Sequence, residues 1–175
     1  MFSFLRKNSK LNLKSDFWPV CLLFLIIKHI SMEKYKQDII PETTLFNAKT
    51  EQELKQAIKV FYKQNIQGKA IRNKHTGIEI RFTSDGLGKI SEARRIGRTN
   101  AAVVQILIAL LENAEYSNMG QRKPTDKENV LGYLNFKVKA KVEGKLYHFR
   151  IAVKLKTDMK AYYNHTVNRY EGWDK

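Results

Sequence analysis

The chain has 175 residues, 43% of them hydrophobic, enough for one globular domain with its own core and too apolar for a wholly disordered chain. Thirty-two Lys and Arg against 17 Asp and Glu leave a formal charge of +15, an excess that suits a polyanionic partner, either nucleic acid or an anionic membrane surface. The single cysteine, Cys21, excludes an intramolecular disulfide and a Cys-rich zinc site, and His29, His75, His148 and His165 lack metal-ligand spacing, so neither metal nor other cofactor is expected.

Residues 1–31 differ from the rest. Arg6, Lys7, Lys10 and Lys14 precede an apolar run of 11 residues, 17–27. A bilayer span needs about 20 residues, so this run is too short. It has the length of a signal-peptide core, but Pro19 lies inside it and no small-x-small cleavage site follows. Three readings stay open: a non-core extension ahead of a start at Met32, a signal or anchor segment, and a packed helix. The domain expectation is therefore a non-core or signal-like segment over 1–31 and a single α+β domain over 32–175. A cytoplasmic location is expected, with secretion as the alternative if 1–31 is a signal. Membrane attachment ranks last among the partners. At the far end, Tyr170 and Trp173 are expected to pack back onto the body.

The first helix is predicted over 50–67. Thr50 and Glu53 form a capping box, Leu54, Ile58 and Phe61 share one face, and Gly68 ends the helix. Strands are predicted over 69–72 and 78–83, with Ile78, Ile80 and Phe82 on the buried side. Residues 73–77 have turn composition, and His75 there reads as solvated. Residues 83–89 read as a loop. Gly88-Lys89 is not a phosphate loop, because Thr83 stands where the first glycine is needed and Ile90 follows the lysine. A second helix is predicted over 100–116 with Thr99 as its cap; 101–111 is apolar except Gln105, so it belongs under a sheet. Residues 117–129 read as a polar loop.

The last third carries the clearest pattern. Leu134, Phe136, Val138, Ala140 and Val142 alternate with Asn135, Lys137, Lys139 and Lys141. Tyr147, Phe149, Ile151, Val153 and Leu155 alternate with His148, Arg150, Ala152, Lys154 and Lys156. A two-residue Glu143-Gly144 turn pairs Val142 with Lys145, and then Lys139 with His148 and Lys137 with Arg150. The apolar sets fall on one face. The other face collects Lys137, Lys139, Lys141, His148, Arg150, Lys154 and Lys156. Like charges across a ladder are unfavourable, so such a face suits an anionic ligand. The plain alternative is a solvated outer face. A last strand is predicted over 161–167, where one of the adjacent Tyr162 and Tyr163 must be core. The fold class expected is α+β, an antiparallel sheet of about four or five strands packed on one face by two main helices.

Several of these segments resemble a known family. They are Asn73-Lys74-x-Thr76-Gly77-x-Glu79-Ile80 with Gly88-Lys89, then Leu111-Glu112-Asn113-Ala114-Glu115-Tyr116. Val142-x-Gly144-Lys145-x-Tyr147-x-x-Arg150-x-x-Val153-Lys154 and Tyr163-x-His165 complete the set. Together, over about 68–167, they are similar to the large polyvalent protein-associated domains of phages and conjugative elements. The resemblance extends to phage nucleases of the barnase, EndoU, colicin and RelE type. It implies helices packed on an antiparallel sheet, and many of that wider class are metal-independent ribonucleases. Other domains of a phage or conjugative-element protein are implied as partners.

Two functions follow. A metal-independent endoribonuclease needs a base, an acid and a cation for the phosphorane. His148 and His165 are the candidate acid and base, and Arg150 is the candidate phosphate clamp. Lys89, Lys137, Lys139 and Lys154 are candidate backbone contacts, and Tyr163 a stacking platform. The alternative is a non-catalytic nucleic-acid-binding accessory module, which needs the same basic face and no proton transfer. RNA ranks ahead of DNA.

Overall fold

In the computed structural model, residues 39–92 and 97–169 are described, without the side chains of 89–92, 164–166 and 168. The expectations for 1–31, Met32, Tyr170 and Trp173 lie outside them. Within that range the order is β1 (Glu42–Thr43), α1 (Glu51–Asn65), β2 (Ala70–Arg72), β3 (Glu79–Arg81) and α2 (Ser84–Glu92). Then come α3 (Arg98–Ala102), a 3-10 turn (Val103–Ile106) and α4 (Leu107–Glu112), followed by β4 (Glu115–Gln121), β5 (Val130–Val142), β6 (Lys145–Lys156) and β7 (Ala161–Arg169).

The hairpin forms in the predicted register. Val142 faces Lys145, Lys139 faces His148, Lys137 faces Arg150 and Asn135 faces Ala152. Its two-residue turn has Glu143 at φ 52 and Gly144 at φ 75, the mirror-image turn whose twist matches paired strands. Leu134, Phe136, Phe149, Ile151, Val153 and Leu155 are fully buried, as the alternation requires.

The sheet is α+β in class but larger and less uniform than expected. Among the described residues it has seven strands in the order β1-β5-β6-β7-β3-β2, with β4 also on β5. β1 pairs β5 and β3 pairs β7 in parallel, so the sheet is mixed, not antiparallel with four or five strands. The parallel contacts are only two residues long in each case, too short to leave a periodic signature.

Among the described residues three helical stretches, α1, α2 and the broken α3–α4, accompany the sheet, not two. α1 begins where predicted: Thr50 Oγ1 accepts from Glu53 N at 3.1 Å. The returning Glu53 carboxylate accepts from Lys49 N at 2.7 Å, one residue before the cap. Leu54, Ile58 and Tyr62 are the buried stripe, while Phe61 packs edge-on against Phe46. α2 occupies the stretch read as a loop. Gly86 lets it approach β7, since a Cβ there would stand 2.7 Å from the Tyr62 hydroxyl and 3.1 Å from the Tyr163 carbonyl oxygen. The segment predicted as one helix over 100–116 is broken. It begins after Gly97, not Thr99, passes through the 3-10 turn and stops at Glu112; Glu115 and Tyr116 already belong to β4.

Asn73 explains that stop. Its side chain is fully buried, and Nδ2 donates to Leu111 O at 2.7 Å and Ala114 O at 2.9 Å. Its Oδ1 accepts from Thr76 N at 2.8 Å and from Thr76 Oγ1 at 2.9 Å. A distant turn thus satisfies the carbonyls left at the helix end. His75 is buried, not solvated as expected, and its Nδ1 accepts from Tyr116 N at 2.8 Å.

Candidate nucleic-acid interface

The side of β5 and β6 away from the core carries the cations. Alternation alone puts them there, because every second residue of both strands is spent on the core. Lys137 lies across from Arg150, and Glu115 of β4 flanks Lys137 on its other side. Lys139 lies across from His148. Lys141 and Arg150 are exposed; Lys137, Lys139, His148, Lys154 and Lys156 are half-buried. His148 and Arg150 are therefore brought to one face, two residues apart on one strand.

His165 is treated differently by the fold. Ile151 pairs with Val167 and Val153 with Tyr163, so only Ala152 of β6 faces residues 164–166 of β7. His165 sits at the centre of that bulge, on the strand next to Arg150. Its side chain lies outside the described residues, as does that of Lys89, whose backbone is in α2. Tyr163 is a correction. It is fully buried, stacked on Tyr62 at a centroid distance of 6.3 Å and tilted on Phe82 at 5.6 Å, so its ring offers no face to a base. Tyr162, half-buried, takes the outer side instead.

The outer face has a second, polar part that sequence reasoning missed. Lys154 bonds Asp126 Oδ1 at 2.8 Å. The same carboxylate accepts from the Tyr133 hydroxyl at 2.9 and 2.8 Å and from Lys123 N at 2.9 Å. Burial alone raises a carboxyl pKa, but these donors outweigh it and hold Asp126 down at about 2. Burial first, then the hydrogen bond to Asp126 and its charge, push the Tyr133 hydroxyl up. Tyr133 stands in phase with Asn135 and Lys137, so its face was legible. Asp126 was not, because a loop residue has no period.

Beside this network, Lys156 lies 4.0 Å over the Tyr162 ring, and the Tyr162 hydroxyl donates to Asp158 Oδ2 at 2.7 Å. Arg81 of β3 faces Tyr162 in the register and bonds Glu79. No group of three or more His, Cys, Asp or Glu able to hold a metal occurs among the described residues. No helix among them is long and apolar enough to cross a membrane.

The family model of large polyvalent protein-associated domain 3 matches residues 49–163, from the start of α1 into β7. No curated protein and no solved structure matches the chain.

Proposed function

The chain belongs to the large polyvalent protein-associated domain 3 family, and from that premise we propose that it is an accessory domain of phage or mobile-element polyvalent proteins that holds a nucleic-acid backbone, RNA ahead of DNA, on the outer face of β5 and β6. One observation carries this reading: the hairpin register sets Lys137 opposite Arg150 and Lys139 opposite His148, with Lys141 continuing the row. Paired cations across a ladder repel. A phosphate between them turns that repulsion into a contact, and Arg150 can meet it with two parallel N–H bonds. The other domains of a polyvalent protein are the expected protein partners.

The test is a salt titration of single-stranded RNA binding to the purified chain. About four phosphate contacts, at roughly −0.7 each, give a log–log slope near −3. Lys137→Ala with Lys139→Ala lowers it by about 1 to 1.5. A salt-independent affinity, or none at low salt, removes nucleic acid from the reading.

A second reading is favoured by the two-residue spacing of His148 and Arg150, with the His165 backbone one strand away. It is metal-independent RNA cleavage, in the manner of the barnase-like and EndoU-like nucleases. His148 and His165 act as base and acid, and Arg150 stabilises the phosphorane. Incubation with RNA in EDTA tests it. Cleavage that His148→Ala abolishes without weakening binding supports catalysis; intact RNA leaves the binding module.

A further inference from the structure

A cavity of about 230 Å³ opens where the sheet ends, lined by Asp85, Asp126, Lys127, Lys154, Lys156 and Tyr162, with Thr125 and Asn129 at its rim. The elements that frame it are the start of α2, the loop before β5, the end of β6 and the start of β7. Thr157 N donates to Asn129 O at 3.0 Å and Lys156 N to Lys160 O at 3.1 Å, which closes the strand ends around it.

The lining has three ammonium groups and two carboxylates. One pair is matched internally, since Lys154 and Asp126 bond at 2.8 Å. Lys156 is pre-set: Asp158 holds the Tyr162 hydroxyl, and the Tyr162 ring lies 4.0 Å under the Lys156 ammonium. That arrangement lowers the entropy lost when Lys156 meets an anion. Lys127 and Asp85 are exposed at the mouth. Asp158 also lies near enough to Lys156 to interact with its charge; an occupant with an anion for Lys127 and Lys156 and N–H donors for Asp85 complements this lining. A simple anion lacks the donors, and a simple amine lacks the anion.

We infer that this cavity takes one nucleotide unit, its phosphate on Lys127 and Lys156 and the amino group of its base on Asp85. The inference rests on the nucleic-acid reading and adds a base-selective subsite to it. Lys154 and Tyr162 face each other in the β6–β7 register, so the cavity adjoins the outer face that carries the backbone. Adenine, cytosine and guanine present an exocyclic amino group; uracil offers only its ring N3–H, set between two carbonyl oxygens that repel a carboxylate.

The experiment is calorimetric titration of the full chain with AMP, CMP, GMP, UMP and inorganic phosphate. AMP, CMP and GMP bind about tenfold tighter than UMP or phosphate, the value of one charge-assisted hydrogen bond. Asp85→Asn reduces that preference, and Lys127→Ala with Lys156→Ala weakens every nucleotide by about tenfold or more. Asp85 and Lys127 are exposed and Lys156 lies on the outer face, so these changes leave the core intact. Equal binding of UMP, phosphate and the amino-bearing nucleotides overturns the inference, as does a preference that Asp85→Asn leaves untouched. Salt-sensitive RNA binding without nucleotide binding removes the cavity alone. Nucleotide binding without RNA binding keeps the cavity and removes the backbone track.

Discussion

Replacing Asp126 by Asn separates the structural anion of the outer face from the ligand it resembles. The Asp126 side chain is 5% exposed and takes bonds from Lys154, Tyr133 and the Lys123 amide. Its carboxyl lies at about 2 in the fold against an ordinary 3.8. A shift of that size corresponds to at most about 2.5 kcal/mol, and screening in a surface loop lowers the realised figure to about 1–2 kcal/mol. The folded pKa is depressed, so this stability is fully present above pH 3.8 and is lost as pH falls through about 2. Asp126→Asn therefore lowers the thermal midpoint by about 3–8 °C at neutral pH. The gap between variant and parent narrows only below the ordinary carboxyl range. Thermal unfolding followed by circular dichroism across pH measures both. A midpoint unchanged at neutral pH, or a gap that stays constant to pH 2.5 or about there, refutes the reasoning.

Three further outcomes follow from buried contacts. Asn73→Ala strips partners from two buried carbonyls and from the Thr76 amide. It costs about 3 kcal/mol by urea unfolding; a loss under about 1 kcal/mol contradicts its anchoring role. Gly86→Ala drives a methyl to 2.7 Å from the Tyr62 hydroxyl and costs about 1–3 kcal/mol, whereas Gly88→Ala, with nothing within 4 Å, is neutral or stabilises α2 by up to about 1 kcal/mol. Burial lowers the His75 pKa below its ordinary 6.5, partly offset by the Glu115 charge. Its contribution is complete above 6.5 and falls as pH drops below that toward the lower folded value, so His75→Gln flattens the stability profile on the acid side of pH 6.5. Identical slopes in the two proteins exclude His75 as the titrating group.

Where two local signals agreed, the fold was legible. The hairpin had alternation on both strands and a two-residue turn, and a one-residue slip would have exposed Phe136 and Ile151. α1 had a capping box and a buried stripe. The 100–116 segment had only an apolar run. Such a run has no period to mark where helix gives way to strand, and Asn73, far away in sequence, sets the stop. β4, EYSNMGQ, shows no alternation in burial, and among the described strands it pairs β5 alone. α2 was hidden by its two glycines, whose helix-weakening effect is offset by packing against Tyr62 and Tyr163. Of the candidate site, the Lys137, Lys139, His148 and Arg150 row was readable from register. The Asp126 network was not, because the loop that closes on Lys154 and Tyr133 leaves no repeat in the chain.

That network also bears on how the whole face treats anions. At the β5 start, the protein supplies its own carboxylate, and a strand cation, a strand phenol and a loop amide converge on it. The groups that hold Asp126 are the kind that hold phosphate: an ammonium, a hydroxyl and a backbone N–H. Farther along the same two strands the register continues through Lys137–Arg150 and Lys139–His148. Carboxylates flank that row on the neighbouring strands, Glu115 of β4 beside Lys137 and Glu42 of β1 beside Lys141. There the register sets Lys137 across from Arg150, where the other end of the strands sets Lys154 against Asp126. Under the proposed reading, an external phosphate stands to Lys137 and Arg150 as Asp126 stands to Lys154. The difference is that a tethered anion's contact weakens little with salt, while binding of a diffusible polyanion falls steeply with it. Steep salt dependence should therefore belong to Lys137, Lys139 and Arg150, while Lys154→Ala changes stability more than it changes the salt slope.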